Sequence, residues 1–192
     1  LLLALAAGDS FRIARSLALE ASFLVSQGGR RRCRRAAEAV DMADQLTRQG
    51  AHPSARGLVL LTRGMIAYSE GCWEKACDLY DQAEAVYREH GLGVAFEINL
   101  ARIYSLLASY FRGQMDTVAR RSAELYQEAR ERDDFLATMM VGLVKLYGRL
   151  SADDPEGVRR ELAEIVQHCP AQGVELLRHN VAIWQMNLEL YC

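Results

Sequence analysis

Lysine, proline and β-branched residues are scarce in this chain of 192 residues, and each scarcity narrows what it can be. With 3 Pro and few Val, Ile or Thr, a β-sandwich or a doubly wound sheet is a poor fit. Lysine occurs only as Lys75 and Lys145 against 21 Arg, a bias in keeping with a GC-rich bacterial genome. No stretch approaches the ~18–20 apolar residues that a membrane span requires. The opening LLLALAA lacks a basic leader and runs into Asp9 and Arg12, so a signal peptide is not expected. It starts without Met inside an apolar run and reads as a piece of something longer. Cys33, Cys72, Cys77, Cys169 and Cys192 contain no CxxC pair, which points to reduced, cytoplasmic thiols packing as small hydrophobes. His168 beside Cys169, with no second pair, is weak ground for a zinc site. A net charge of −2 argues against a dedicated nucleic-acid binder.

Catalytic motifs are missing too. The chain has no GxxxxGK[ST], HRD, DFG, HExxH or GxSxG, and Gly91-Leu92-Gly93 lacks the third glycine of a dinucleotide site. Asp133-Asp134 and Asp153-Asp154 are adjacent carboxylates ahead of helices, where capping is the simpler role than acid–base chemistry. No catalytic, metal or cofactor-binding residue is expected, and an all-α enzyme is the least favoured reading.

What is present in quantity is Ala (27) and Leu (26), both helix builders. Leu58, Leu61, Met65 and Tyr68 form one helical stripe, and Phe96, Leu100, Ile103, Leu107 and Tyr110 another. Breaks fall at Gly28-Gly29, Gly50 to Pro53, Gly71, Gly91 to Gly93, Gly113, Asp153 to Pro155 and Pro170 to Gly173. These predict the end of one helix at 1–7, then helices near 9–27, 32–49, 54–70, 73–90, 94–112, 115–132, 134–150, 155–168 and 173–191. Short loops make neighbours antiparallel hairpins, at about 9–49, 54–90, 94–132 and 134–168, with a terminal helix at 173–191.

A period underlies the breaks. Ala76, Tyr80 and Ala83 follow Gly71 at steps of four and three, and the same beat recurs at Ala36-Val40-Ala43, Val118-Ser122-Leu125 and Val158-Leu162-Ile165. The units are spaced 40, 42 and 40 residues apart. Gly64 and Ala76 are small enough for two helices to approach, with Tyr80 filling the space above. Gly64, Gly71, Ala76, Tyr80 and Ala83 resemble the tetratricopeptide repeat, with Leu60 standing where that repeat often has Trp. The resemblance implies an all-α, right-handed α-solenoid of helix hairpins, one repeat domain over 1–192, with Trp73 at the place of a bulky hairpin-packing residue.

AGDSFRIARSLALEASFLVSQGG (7–29), ARIYSLLASYFRGQMDTVARRSAELYQEARERDDFLAT (101–138) and SADDPEGVRRELAEIVQH (151–168) are similar in texture to the C-terminal helical-repeat region of large bacterial serine/threonine protein kinases that carry an AAA-type ATPase module. That similarity implies a regulatory, scaffolding piece with catalysis elsewhere. A ligand- or peptide-sensing repeat domain of a transcriptional regulator is the alternative.

Sites are fewer. Leu58, Leu61, Thr62 and Met65 replace the Lys and Asn of carboxylate-clamp repeats, so capture of a chaperone tail is not expected. The inner helices carry Arg56, Arg63, Arg102, Lys145 and Arg149, the candidate contacts for an acidic protein or peptide partner or for another domain of the same chain. Solvated faces with local ion pairs are the plainer reading of the same residues. GGRRRCRR at 28–35 could touch phosphate or anionic lipid, or be an exposed charge cluster. Segments 1–7 and 173–191 lack a polar outer face, which predicts self-association or docking to neighbouring repeats.

Overall fold

The computed structural model describes residues 1–48, 53–90, 93–168 and 175–192. The breaks expected at Gly50 to His52, at Gly91-Leu92 and at Pro170 to Gly173 lie outside the described residues, as does Cys169. All regular structure among the described residues is α-helix: α1 (Leu2–Ala7), α2 (Ser10–Ser26), α3 (Arg30–Arg48), α4 (Pro53–Ser69), α5 (Trp73–His90), α6 (Ala95–Phe111), α7 (Met115–Glu131), α8 (Phe135–Ser151), α9 (Pro155–His168) and α10 (Glu175–Tyr191).

One turn geometry recurs between helices. At Gly71, Gly113, Asp133 and Asp153 the backbone enters the left-handed region, with φ of 77°, 74°, 52° and 56°. In each case the next residue's N–H reaches back across the turn, as from Cys72 to the Ala67 carbonyl (2.9 Å) and from Asp134 to that of Ala129 (3.0 Å). These bonds satisfy carbonyls that the end of a helix leaves unpaired. Glycine takes this conformation freely, and aspartate is among the few other residues that tolerate it. The second aspartate of each pair then caps the following helix: Asp134 accepts from the Ala137 N–H (3.0 Å) and Asp154 from that of Gly157 (2.8 Å). Asp9 does the same for α2, accepting from Phe11 at 2.9 Å.

The chain divides into two compact units, Leu1–Ala108 and Ser109–Cys192, the division falling inside α6. In the first, α2 packs on α3, α4 lies against both, and α5 lies on α4. Half of its buried cluster is alanine, including Ala14, Ala18, Ala36, Ala43, Ala76 and Ala83. Short side chains bring helix axes close, and two contacts are closer still. A Cβ added at Gly64 would stand 2.5 Å from Tyr80 Cε1, and one at Gly57 2.7 Å from Tyr87 Cε1. Tyr80 is wholly buried and stacks on Tyr104 with centroids 5.7 Å apart. Ser22 and Thr62 tie α2 to α4 through their hydroxyls at 2.9 Å.

The second unit has a different core. Met139, Leu143 and Leu146 of α8 meet Val158, Leu162 and Ile165 of α9 and Val181, Trp184 and Leu188 of α10. Tyr147 links Tyr110 (4.1 Å between centroids) to Trp184 (4.5 Å). The four recurring triplets all face inward: Ala36, Ala76, Val118 and Val158 are fully buried, and only Leu125 among the twelve positions is partly exposed. The α6 stripe departs from expectation at Phe96, which is 59% exposed in the helix's first turn.

Candidate functional site

The five basic residues chosen from the sequence fall in two groups. Arg56, Arg63 and Arg102 belong to the first unit, and Lys145 and Arg149 to the second. Arg56 is exposed. The other four each meet a carboxylate of this chain.

Arg63, on α4, lies 2.8 Å from Asp41 and 3.1 Å from Asp44, both on α3. Arg102, on α6, is 5% exposed and its Nε is 2.8 Å from Glu84 on α5. Glu84 also receives Arg88 Nε at 2.8 Å. The two arrangements are alike on successive pairs of helices. Asp44 and Glu84 stand 40 positions apart and Arg63 and Arg102 stand 39 apart, so within the first unit α3 and α5 each carry an acid and the helix that follows, α4 or α6, carries a base. Pairs of this kind add little net stability, because desolvation offsets much of the attraction.

The second unit uses a denser cluster. One oxygen of Glu161, on α9, accepts from Lys145 Nζ (2.9 Å) and from Arg149 (2.5 Å), and Arg149 also reaches Asp154 at 2.8 Å. Lys145 stands 5.1 Å above the centre of the Tyr126 ring. Burial pushes the Glu161 carboxyl up, but the hydrogen bonds from Arg149 and Lys145 outweigh it and hold it below the ordinary glutamate range. The Gly157 N–H, followed by Arg149, holds Asp154 below its usual range. The Arg149 guanidinium is raised chiefly by its hydrogen bond to Glu161. These carboxylates stay ionised and bonded, so the cluster joins α8 to α9.

Sequence reasoning named the bases and missed their partners Asp41, Asp44, Glu84 and Glu161. The signal was available for two of them in the recurrence of an acid at 44 and 84. It also missed the Gly57–Tyr87 contact, although 57 and 87 lie seven residues outward from 64 and 80 on the same two helices.

A cleft of about 410 Å³ opens between α7, α8 and α9, with Tyr126, Phe135 and Met139 as apolar walls and Arg130, Glu164 and His168 at the rim. His168 Nδ1 is 2.7 Å from the Glu164 carbonyl. Among the described residues no three His, Cys, Asp or Glu side chains group so as to hold a metal ion. No described helix is long and apolar enough to cross a membrane. Apolar side chains stand out at both terminal helices: Leu2 and Leu3 of α1 are 83% and 88% exposed, and Leu190 of α10 is 82% exposed.

No protein-family model matches the chain, and neither a curated protein nor a solved structure matches it.

Proposed function

We propose that this chain is a non-catalytic interaction module, a right-handed, tetratricopeptide-like solenoid of antiparallel helix hairpins. It holds a protein or peptide partner, or other domains of its own polypeptide, within a larger bacterial signalling protein of the serine/threonine kinase type with an AAA-type ATPase module. The observation that carries this reading is the inward-facing triplet repeated every 40 to 42 residues, with the acid–base pair repeated beside it. The antiparallel hairpin is supported by Gly57 meeting Tyr87 while Gly64 meets Tyr80, contacts that advance along α4 as they retreat along α5. Repetition of this kind makes extended surfaces for binding rather than enclosed sites for chemistry.

Within this reading Arg56 is the cation that an acidic partner meets without competition. Arg63, Arg102, Lys145 and Arg149 must each give up a carboxylate of this chain to bind one from outside, so a partner gains less from them. Quantitative capture from the source organism should retain a defined protein on the wild-type chain and lose it about tenfold or more with Arg56→Glu. Equal capture by both, or none by either, overturns the cationic contact. Self-association through α1 and α10 is read by sedimentation velocity, where a strict monomer at high concentration counts against it.

The cleft between α7, α8 and α9 favours a second reading, a ligand- or peptide-sensing domain of a transcriptional regulator. Its volume is that of a small-molecule site, and Arg130 at the rim suits a carboxylate. A melting shift produced by a peptide or metabolite, and abolished by Arg130→Ala, would move the assignment there.

A further inference from the structure

Many of the arginines of this chain find carboxylates. Arg12, Arg48, Arg63, Arg88, Arg102, Arg120, Arg132, Arg149 and Arg159 all do so. Arg15, Arg56, Arg130 and Arg160 stand singly without an ion pair among the described residues, whereas Arg30, Arg31, Arg32 and Arg35 are exposed, likewise without one, and stand together. Glu38, a turn further along α3, goes to Arg34 at 3.7 Å. The four line a single open recess of about 580 Å³ together with Gly28 and Gly29.

As a purely structural element this arrangement is costly. Arg31 and Arg35 are like charges four residues apart on a helix, and repel rather than brace. They also sit at the positive end of α3, whose first turn has no acidic residue to balance them. Seven arginines face only Asp9 and Glu20 in the first 35 residues, so a chain of net charge −2 concentrates its cations here. Unfavourable charge held together in one recess is relieved by an anion of more than one charge. Guanidinium forks match phosphate oxygens in pairs, and the backbone at Gly28 and Gly29 is open, with nothing within 4 Å of where a side chain would start.

We propose that Arg30, Arg31, Arg32 and Arg35 form a binding site for a phosphate-bearing ligand carrying at least two negative charges, distinct from the protein-partner surface. The chemistry is shared by a free polyphosphate compound and a phosphomonoester lipid headgroup. Calorimetric titration of the full chain with tripolyphosphate tests it. Wild type should bind with an affinity that falls as salt rises. Arg31→Gln/Arg35→Gln should weaken binding about tenfold or more, since two charge-assisted contacts to phosphate are lost together. Both residues are exposed and their charges repel, so the helix content of the variant should match wild type and its melting temperature should equal or exceed that of wild type. Arg31→Lys/Arg35→Lys keeps the charge and removes the forks, and should fall between the two. Sedimentation with phosphatidylcholine vesicles carrying phosphatidic acid separates the sources. Retention that the Gln variant loses assigns a lipid headgroup, and no retention beside tripolyphosphate binding assigns a free compound. The proposal is overturned if wild type binds neither probe, if the Gln variant binds as wild type does, or if phosphatidylserine vesicles retain the chain as well as phosphatidic acid does.

Discussion

Replacing Gly64 by alanine puts the hairpin contact to a direct test, because two effects of known size oppose each other. Within an exposed helix, Gly→Ala stabilises by about 1 kcal/mol through propensity alone. At Gly64 the new methyl would lie 2.5 Å from Tyr80 Cε1, 2.7 Å from Cδ1 and 3.0 Å from Cζ. The ring has no room to withdraw, being fully buried and stacked on Tyr104. Forcing a methyl into a filled core costs typically 1–3 kcal/mol, often with backbone movement. Three ring atoms at or below 3.0 Å put this site at the upper end, so the net expectation is a loss of about 1–2 kcal/mol. For a chain of this length that is a fall in melting temperature of roughly 2–8 °C. Urea unfolding followed by circular dichroism measures it. Adding Tyr80→Leu should cancel part of the loss, giving a coupling above about 0.5 kcal/mol. A Gly64→Ala variant as stable as wild type or more so, or one that adds simply with Tyr80→Leu, refutes the close approach of α4 and α5.

Two further outcomes follow from the polar groups. The Tyr80 hydroxyl is buried without a hydrogen-bond partner, and burial raises its phenol well above the usual range. An unpaired buried hydroxyl costs about 1–3 kcal/mol, so Tyr80→Phe should leave stability unchanged or raise it, and a clear loss in thermal unfolding would contradict this. Glu161 has a lowered folded pKa, so its contribution is present above the ordinary glutamate range and is lost as pH falls through the lower folded value. Glu161→Gln should therefore be less stable at pH 7 and should flatten the fall in melting temperature between about pH 5 and 3. Parallel curves for the two proteins would show that Glu161 is not held by Lys145 and Arg149.

The helices were legible because period 3.6 is written in every segment, and observed bounds lie within two residues of the expected ones. The triplets were legible for a second reason: Ala36, Ala76, Val118 and Val158 are spaced evenly enough to be found without a structure. The division inside α6 was not legible, since 95–111 contains no glycine, proline or change of composition. Nor was the state of the charges. A sequence gives the helix face on which Arg63 or Arg102 lies, but the carboxylate it meets comes from another helix, 18 to 22 residues earlier, and arrives only by packing. Phe96 was misjudged for a related reason, as periodicity assigns a residue to a stripe without telling whether a neighbour extends far enough to cover it.

Alanine has no rotamers. With half of its buried positions taken by alanine, Ala14, Ala18, Ala36, Ala43, Ala76 and Ala83 among them, the first unit's core has fewer side-chain torsions with which to absorb a push on one helix. The second unit's seam of Met139, Leu143, Leu162 and Trp184 has many torsions to exchange and can yield locally. The two units of one chain therefore differ in how much side-chain freedom their cores retain.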